Sequence, residues 1–128
     1  MIDLHTHSTI SDGALTPTQL VQAAAQNGCR LLALTDHDHT GGLAEARTEA
    51  ARHRIQFING AEISVTWRHR TIHIVALDFD EHNNSLQTLL AQVRQGRIAR
   101  LHQIAAKLAK HGISGAAEGA LALAANPE

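Results

Sequence analysis

The first sixty residues alternate between short apolar runs and amphipathic segments, and this alternation constrains the fold more than any other feature. Thr16 is a suitable N-cap and Pro17 a suitable first residue for the first helical segment, and Gly28 follows its end. Thr40 is expected to cap the second helix. The predicted strands are 2–5, 30–36 and 55–60. An order of strand, helix, strand, helix and strand predicts a parallel α/β arrangement.

The second half of the chain follows a different pattern. Two β-rich runs at 61–67 and 71–79, separated by the tripeptide RHR, predict a hairpin. A long helical pattern follows at 85–111, with Arg97 interrupting its apolar face. The apolar positions of that face are Leu86, Leu90, Val93, Leu101, Ile104 and Leu108. The sequence GISG then breaks the pattern, and the Ala-rich segment 116–125 predicts a last helix.

Composition excludes several classes of partner. At 128 residues the chain is expected to form one domain, and its net charge of −1 argues against a broad surface for duplex DNA or for a membrane. The single cysteine, Cys29, excludes an internal disulfide and suits a reducing compartment. We find no basic leader followed by an apolar run, and no apolar stretch long enough to span a bilayer. These features together predict a cytoplasmic protein.

Histidines and carboxylates follow the predicted strands. Because the carboxyl ends of parallel strands meet at one edge of a sheet, we expect these side chains to converge. His5 and His7 point to the same side of an extended segment and can hold one ion. A mixed set of imidazoles and carboxylates suits Mn²⁺, Fe²⁺ or Zn²⁺ better than Ca²⁺. The residues that predict this metal site are His5, His7, Asp12, Asp36, His37, Glu62 and His73, with Glu62 expected just past the third strand.

The remaining histidines carry a weaker signal. Five of them lie in helical or turn contexts with polar neighbours and are predicted to be solvated, namely His53, His69, His82, His102 and His111. In the turn TDHDHT, either Asp38 or His39 could support a metal ligand. The simpler interpretation is that Asp38 orders the turn and His39 faces solvent.

Several motifs resemble one known superfamily. DLHTHS, Asp12, LTDHD, GAEIS and IHIVAL are similar, in order and spacing, to the early motifs of the PHP phosphoesterases. SDGALTPTQLV, TGGLAEA and FINGAEISVTW resemble the branch of stand-alone PHP enzymes that act on nucleoside 3′,5′-bisphosphates and trim short RNA from the 5′ end. The resemblance covers essentially the whole chain. It implies an α/β fold in which residues 1–128 form the N-terminal half of a distorted (β/α)₇ barrel.

The resemblance also implies a set of roles at the site. It implies up to three divalent ions in the complete protein, with Mn²⁺ expected first and Zn²⁺ or Fe²⁺ as alternatives. Asp12 and His37 would also act in catalysis, and the attacking group would be a metal-bridged hydroxide. The implied ligands are His5 and His7 for the first ion, Glu62 as a bridge to the second, His73 for the second, and Asp12 and His37 for the third.

The segment GRIAR is implied to contact the substrate, which would be a nucleotide or a short RNA. Arg97 and Arg100 lie three residues apart and share one helix face. Guanidinium groups suit phosphate oxygens, and Arg94 is a weaker third candidate. The alternative interpretation is a solvated basic face.

The sequence departs from the family in its length and its later motifs. Relatives complete the metal site with a histidine before a proline and with a later Asp-x-His pair. This chain has no His-Pro, and its Asp80 and His82 come too early. We therefore expect a fragment of a longer protein that either associates with itself or binds metal weakly. Two other functions remain open, a histidinol-phosphate phosphatase and a non-catalytic structural PHP module.

Overall fold

The computed structural model describes residues 1–124 and contains four strands and four helices within that range. In chain order these are β1 Ile2–Asp3, α1 Pro17–Gln26, β2 Leu31–Leu34, α2 Leu43–Arg52, β3 Gln56–Trp67, β4 Arg70–Leu77, α3 Asn84–Ala109 and α4 Ala116–Leu123. The predicted alternation of strands and helices is confirmed. The end of the last predicted helix, residue 125, lies outside the described residues. Among residues 1–124 we find no helix with the length and apolar character needed to span a bilayer.

The four strands form one sheet in the order β1-β2-β3-β4. β1, β2 and β3 are parallel, as the alternation predicts, and β4 pairs with β3 in the antiparallel direction. The predicted hairpin is therefore confirmed. Its turn contains Arg68 and His69, whose φ angles of 47° and 65° are both positive. Two positive φ angles at the centre of a two-residue loop match the twist of the flanking strands.

The third predicted strand and the first strand of the hairpin are one continuous strand, β3. Glu62 therefore lies inside β3, and the prediction that it follows the strand end is wrong. Gly60 lies inside β3 and does not end the strand. A glycine is needed there because β3 lies very close to the segment at the end of β2. A Cβ at Gly60 would lie 2.6 Å from Thr35 Cγ2 and 2.7 Å from the carbonyl oxygen of Leu34.

The two short helices begin in different ways. Thr16 caps α1 as predicted, since its hydroxyl accepts from Gln19 N at 3.2 Å while Gln19 Oε1 accepts from Thr16 N at 3.1 Å. The prediction that Thr40 caps α2 is wrong. Gly42 occupies the N-cap without a side-chain bond, and the hydroxyl of Thr40 accepts from Gln87 Nε2 at 2.9 Å. Thr40 thus links the loop before α2 to α3.

The core is aliphatic and lies between β2 and the helices α1 and α2. Its buried members are Val21, Cys29, Leu32, Leu34, Leu43, Ala46, Ala50 and Ile55. α3 contributes one fully buried side chain, Leu90. The buried core is therefore formed by β2 with α1 and α2 and the residues next to them.

Gly96 lies inside α3, and a Cβ built on it would have no atom within 4 Å. Gly96→Ala is expected to stabilise the protein by about 0.5–1 kcal/mol, because alanine loses less backbone entropy in a helix. Urea denaturation measures the change. Gly60→Ala is the contrasting variant, since its Cβ would overlap with backbone, and it is expected to destabilise.

Glu49 is a buried carboxylate of α2 that accepts hydrogen bonds from Gln22 at 2.9 Å, Arg52 at 2.9 Å and His53 at 3.2 Å. The bond from Gln22, aided by Arg52 and His53, lowers the pKa of Glu49 against the opposing effect of burial. A lowered pKa contributes stability above the unfolded pKa of about 4.3, and this contribution is lost as pH falls through the folded pKa.

Glu49→Gln is therefore expected to lower the melting temperature at pH 7, with the difference from wild type closing as the pH falls below about 4. Thermal melts across this range measure it. Glu118→Gln, at an exposed glutamate in the first turn of α4, is the control and should lower the melting temperature much less than Glu49→Gln does. A constant difference between Glu49→Gln and wild type at all pH values would contradict the prediction.

Candidate metal centre

Glu62 is the centre of the site. One of its carboxylate oxygens, Oε2, lies 2.7 Å from His5 Nε2, 3.1 Å from His7 Nε2 and 3.8 Å from His37 Nε2. The other oxygen, Oε1, lies 2.9 Å from Nδ1 of His73. Only 9% of the Glu62 side chain is exposed. Four imidazoles from three separate parts of the chain therefore meet one buried carboxylate.

Asp12 lies at the outer side of this cluster. Its Oδ1 is 3.5 Å from His7 Nδ1 and its Oδ2 is 3.6 Å from His37 Nε2. These separations are too long for strong hydrogen bonds. The Asp12 side chain is 67% exposed, so it faces both the cluster and the solvent.

The four imidazole rings form a row. Successive ring centroids are 5.1 Å apart from His5 to His7, 4.7 Å from His7 to His37 and 4.8 Å from His37 to His73. Three overlapping groups could each hold a cation, with ligand atoms within 4.8 Å of one another. These groups are His5, His7 and Glu62; His7, Asp12 and His37; and His37, Glu62 and His73. The structure thus brings together the six ligands that the resemblance implies, whereas Asp36 belongs to none of these groups.

The sheet sets the positions of these ligands. Beyond the end of β2, His37 pairs with Glu62 in a parallel bridge, in which Glu62 N donates to the carbonyl oxygen of Asp36 at 3.1 Å. Asp38 N donates back to the carbonyl oxygen of Glu62 at 3.0 Å. His73 stands on β4, opposite Ser64 of β3. The central ligands are therefore fixed by backbone hydrogen bonds.

Asp36 is a buried carboxylate that fixes the first loop of the site. It accepts from Ser8 N and from Ser8 Oγ, both at 2.7 Å, and from Ser11 Oγ at 2.6 Å. The same loop contains Gly13, where a Cβ would overlap with the carbonyl group of His7. These contacts position the segment that carries His7 and Asp12.

Asp38 orders the turn after His37, as predicted. Its carboxylate accepts from Ser64 N at 2.7 Å and from Ser64 Oγ at 2.8 Å. The prediction that His39 faces solvent is wrong in part, because His39 is half-buried and its Nδ1 accepts from Gly41 N at 2.8 Å. The five other histidines are exposed as predicted, namely His53, His69, His82, His102 and His111.

Sequence reasoning missed a connection between this turn and α3. Arg97 Nη1 donates to Asp38 Oδ2 at 3.1 Å, and Arg94 Nη1 donates to the carbonyl oxygen of Asp38 at 2.8 Å. The sequence signal for Arg97 was its position in an apolar helical face. Nothing in the sequence pairs it with Asp38, which lies 59 residues earlier.

Two cavities open beside the ligands, and Arg97 lines both. The first, of about 250 Å³, is also lined by Asp12, His37 and Arg94. The second, of about 400 Å³, is lined by Asp12, His37, His73 and Arg100 in addition to Arg97. Both predicted arginines of the GRIAR segment therefore face the space next to the cluster.

The electrostatics of the cluster favour a cation. Burial lowers the pKa of His37, although Glu62 and Asp12 oppose this effect. Burial alone would raise the pKa of Glu62, but the hydrogen bond from His5 and the nearby His37 and His73 lower it overall. A neutral imidazole and an ionised carboxylate are the forms that bind metal ions.

Two nitrogen atoms of the cluster provide a further test of whether these residues fit a metal ion. Among residues 1–124, the buried side-chain nitrogens without a hydrogen-bond partner are the Nδ1 atoms of His7 and His37. Buried polar groups without a partner are rare and need an explanation. Both belong to rings whose ligand atoms meet carboxylates, and a set of imidazoles and carboxylates suits divalent transition metals. The residues present therefore fit a metal centre.

Two curated relatives align with nearly the whole chain. A 3′,5′-nucleoside bisphosphate phosphatase of Chromobacterium violaceum is 51% identical over 127 residues, which are 99% of this chain and 45% of the relative. A 5′-3′ exoribonuclease of Haemophilus influenzae is 47% identical over 122 residues, covering 95% of this chain and 44% of the relative. The chain thus spans less than half the length of the curated relatives it matches.

Solved structures agree with the predicted fold class. An amidohydrolase of Chromobacterium violaceum, with bound sulfate and no metal, superposes with a TM-score of 0.88 at 51% identity, over 98% of this chain and 44% of that chain. A protein of Bifidobacterium adolescentis classed as a metal-dependent phosphoesterase superposes with a TM-score of 0.77 at 30% identity, over 84% of this chain and 38% of that chain. The α/β fold, as part of a PHP barrel, is confirmed. The PHP domain model matches residues 3–126, and the chain therefore belongs to the PHP domain family.

Proposed function

We propose that the protein is a metal-dependent phosphoesterase that hydrolyses nucleoside 3′,5′-bisphosphates and the 5′ ends of short RNA. The observation that carries this proposal is the convergence of four imidazoles on Glu62, with Asp12 beside them. The names of the two curated relatives, a nucleoside bisphosphate phosphatase and an exoribonuclease, support the substrate class.

The three overlapping groups of ligands would hold divalent ions. We propose Mn²⁺ first, with Zn²⁺ or Fe²⁺ as alternatives, because the ligand set mixes imidazole nitrogens with carboxylate oxygens. Bound ions would supply Lewis-acid polarisation of a phosphoryl group and a nucleophile at neutral pH. His7, His37 and Glu62 each belong to two of the groups. Glu62, with two carboxylate oxygens, would be shared between ions, whereas each neutral imidazole would serve one ion.

The protein's own side chains would bind and orient the substrate. Arg97 and Arg100 line the larger cavity beside His37 and His73, where their guanidinium groups could grip phosphate oxygens. Asp12 is proposed to act at the reacting phosphate because it is exposed to the cavity and lies next to His37. Burial lowers the pKa of His37, which favours the neutral imidazole that could act there as a ligand or a proton acceptor.

The proposal is tested by elemental analysis together with phosphate release from adenosine 3′,5′-bisphosphate in the presence of Mn²⁺. We expect bound metal, release of phosphate that stops in EDTA, and no release from histidinol phosphate. Asp12→Asn should abolish release, whereas His82→Ala, at an exposed residue outside the cluster, is the control. Preference for histidinol phosphate would favour that phosphatase. Absence of both metal and release, in this chain and in a longer form of the protein, would favour a structural module.

We also propose a cytoplasmic location and self-association of the 128-residue chain. The single Cys29 is a free thiol, which suits a reducing compartment. β4 is an end strand of the sheet and exposes Ile72, Ile74 and Leu77, and exposed apolar strands at sheet edges favour association. Sedimentation that depends on protein concentration would support association, and a monomer at all concentrations would contradict it.

A further inference from the structure

Asp38 combines three unusual properties at one position. It directly follows His37, it is fully buried, and its φ of 54° places it in the left-handed region. Residues other than glycine seldom adopt this conformation, and such residues cluster at functional sites. Because aspartate adopts this conformation more readily than most residues, the property that requires explanation is its fully buried carboxylate, which needs partners.

The partners of Asp38 come from two different elements. Ser64 of β3 donates its backbone N–H at 2.7 Å to Oδ1 and its hydroxyl at 2.8 Å to Oδ2. Arg97 of α3 donates to Oδ2 at 3.1 Å, and Arg94 donates to the backbone carbonyl oxygen at 2.8 Å. One buried residue thus joins α3 to the sheet at the position next to His37.

Arg97 is held at one nitrogen and remains accessible elsewhere. Its side chain is 56% exposed although Nη1 contacts a carboxylate with no exposed surface. A guanidinium group has five N–H donors, so one contact leaves others for a ligand. The side chain also lines both cavities beside Asp12 and His37. A side chain that is already positioned loses less conformational freedom when it binds.

We propose that Asp38 is a positioning residue that holds the Arg97 guanidinium in place for a phosphate group bound beside the metal centre. This inference rests on the proposed function and deepens it. Because Asp38 adjoins His37 in the chain, the same turn sets the distance between a metal ligand and the phosphate-binding arginine.

Asp38→Asn is the decisive variant. Asparagine tolerates the left-handed conformation and can still accept from Ser64 N, but it removes the negative charge that faces Arg97. The dissociation constant for adenosine 3′,5′-bisphosphate, measured calorimetrically in EDTA, is expected to rise about tenfold. The stoichiometry of Mn²⁺ binding, measured separately, is expected to stay unchanged.

Two further variants separate positioning from a general structural effect. Asp78→Asn makes the same chemical change at another left-handed aspartate, with φ of 57°, which is exposed and lies directly after β4. It should leave the dissociation constant unchanged. Arg97→Ala should weaken binding at least as much as Asp38→Asn, and combining the two should add nothing further, because both break one interaction.

The outcomes distinguish this inference from the proposed function. Equal nucleotide affinity in wild type and Asp38→Asn, or no measurable affinity in wild type, overturns the inference whatever the metal titration shows. If only metal binding or hydrolysis fails, the proposed function is overturned. The ratio of the nucleotide dissociation constants of Asp38→Asn and wild type then still tests the inference about Asp38. Should Asp38→Asn not fold, ¹⁵N NMR of wild type decides, because an Arg97 guanidinium that rotates freely before ligand is added contradicts positioning.

Discussion

Glu62→Gln is expected to weaken Mn²⁺ binding by about 100-fold or more and to remove hydrolysis with it. Even supporting residues of metal sites contribute 10–100-fold to affinity, and Glu62 contacts four imidazoles directly. The amide removes the negative charge that two of the three ligand groups share. Isothermal titration with Mn²⁺ measures the change.

Glu81→Gln is the matched control. Glu81 is also a largely buried glutamate, with 13% of its side chain exposed, and it pairs with Arg47 at 2.8 Å away from the cluster. This variant should bind Mn²⁺ as wild type does. If Glu62→Gln bound Mn²⁺ with unchanged affinity, Glu62 would not be a ligand and the proposed site would be wrong at its centre.

Asp36→Ala is expected to destabilise the protein by about 3 kcal/mol or more. The substitution leaves the fully buried N–H and hydroxyl of Ser8 without their acceptor, and each buried group left unpaired costs about 1–3 kcal/mol. Metal binding should weaken in the fraction that remains folded, because the loop with His7 and Asp12 loses its attachment. Urea denaturation gives the change in unfolding free energy.

A smaller change at the same place provides the comparison. Ser11→Ala removes one of the three hydrogen bonds to Asp36 and leaves the Ser8 contacts in place. The expected loss is about 1 kcal/mol. If Asp36→Ala were no more destabilising than Ser11→Ala, the loop would not depend on the buried carboxylate.

The sequence predicts the parts of the fold that depend on local chemistry. Thr16 caps α1 as its position before Pro17 predicts, and His5, His7 and His37 lie in the loops that follow the apolar runs of β1 and β2. The convergence of these side chains is predictable because the carboxyl ends of parallel strands lie at the same edge of a sheet. The extent of β3 was not predictable, since Gly60 looks like a strand end. The reason for a glycine there is its contact with Leu34 and Thr35, which is visible only when β2 lies beside it.

Side-chain contacts between residues far apart in the chain could not be predicted from the sequence either. The pair of Asp38 and Arg97 joins residues 59 positions apart, and no periodicity or motif relates them. The sequence around Asp38 predicts that this residue orders the turn, but it does not predict the positive φ angle of its backbone. Thr40 gave a misleading signal for a related reason, because its hydroxyl serves Gln87 of α3 and not the helix that follows it.

The continuity of β3 has a consequence for how the protein opens. Residues 56–59 of β3 pair with β2 and residues 60–67 pair with β4, so Glu62 lies near the middle of the strand that joins both halves of the sheet. Its amide donates to Asp36 and its carbonyl accepts from Asp38. Amide exchange at Glu62 should therefore require cooperative unfolding of the sheet and not local fraying. Removal of the proposed ions by chelation should therefore leave this segment ordered, with Glu62 still in place.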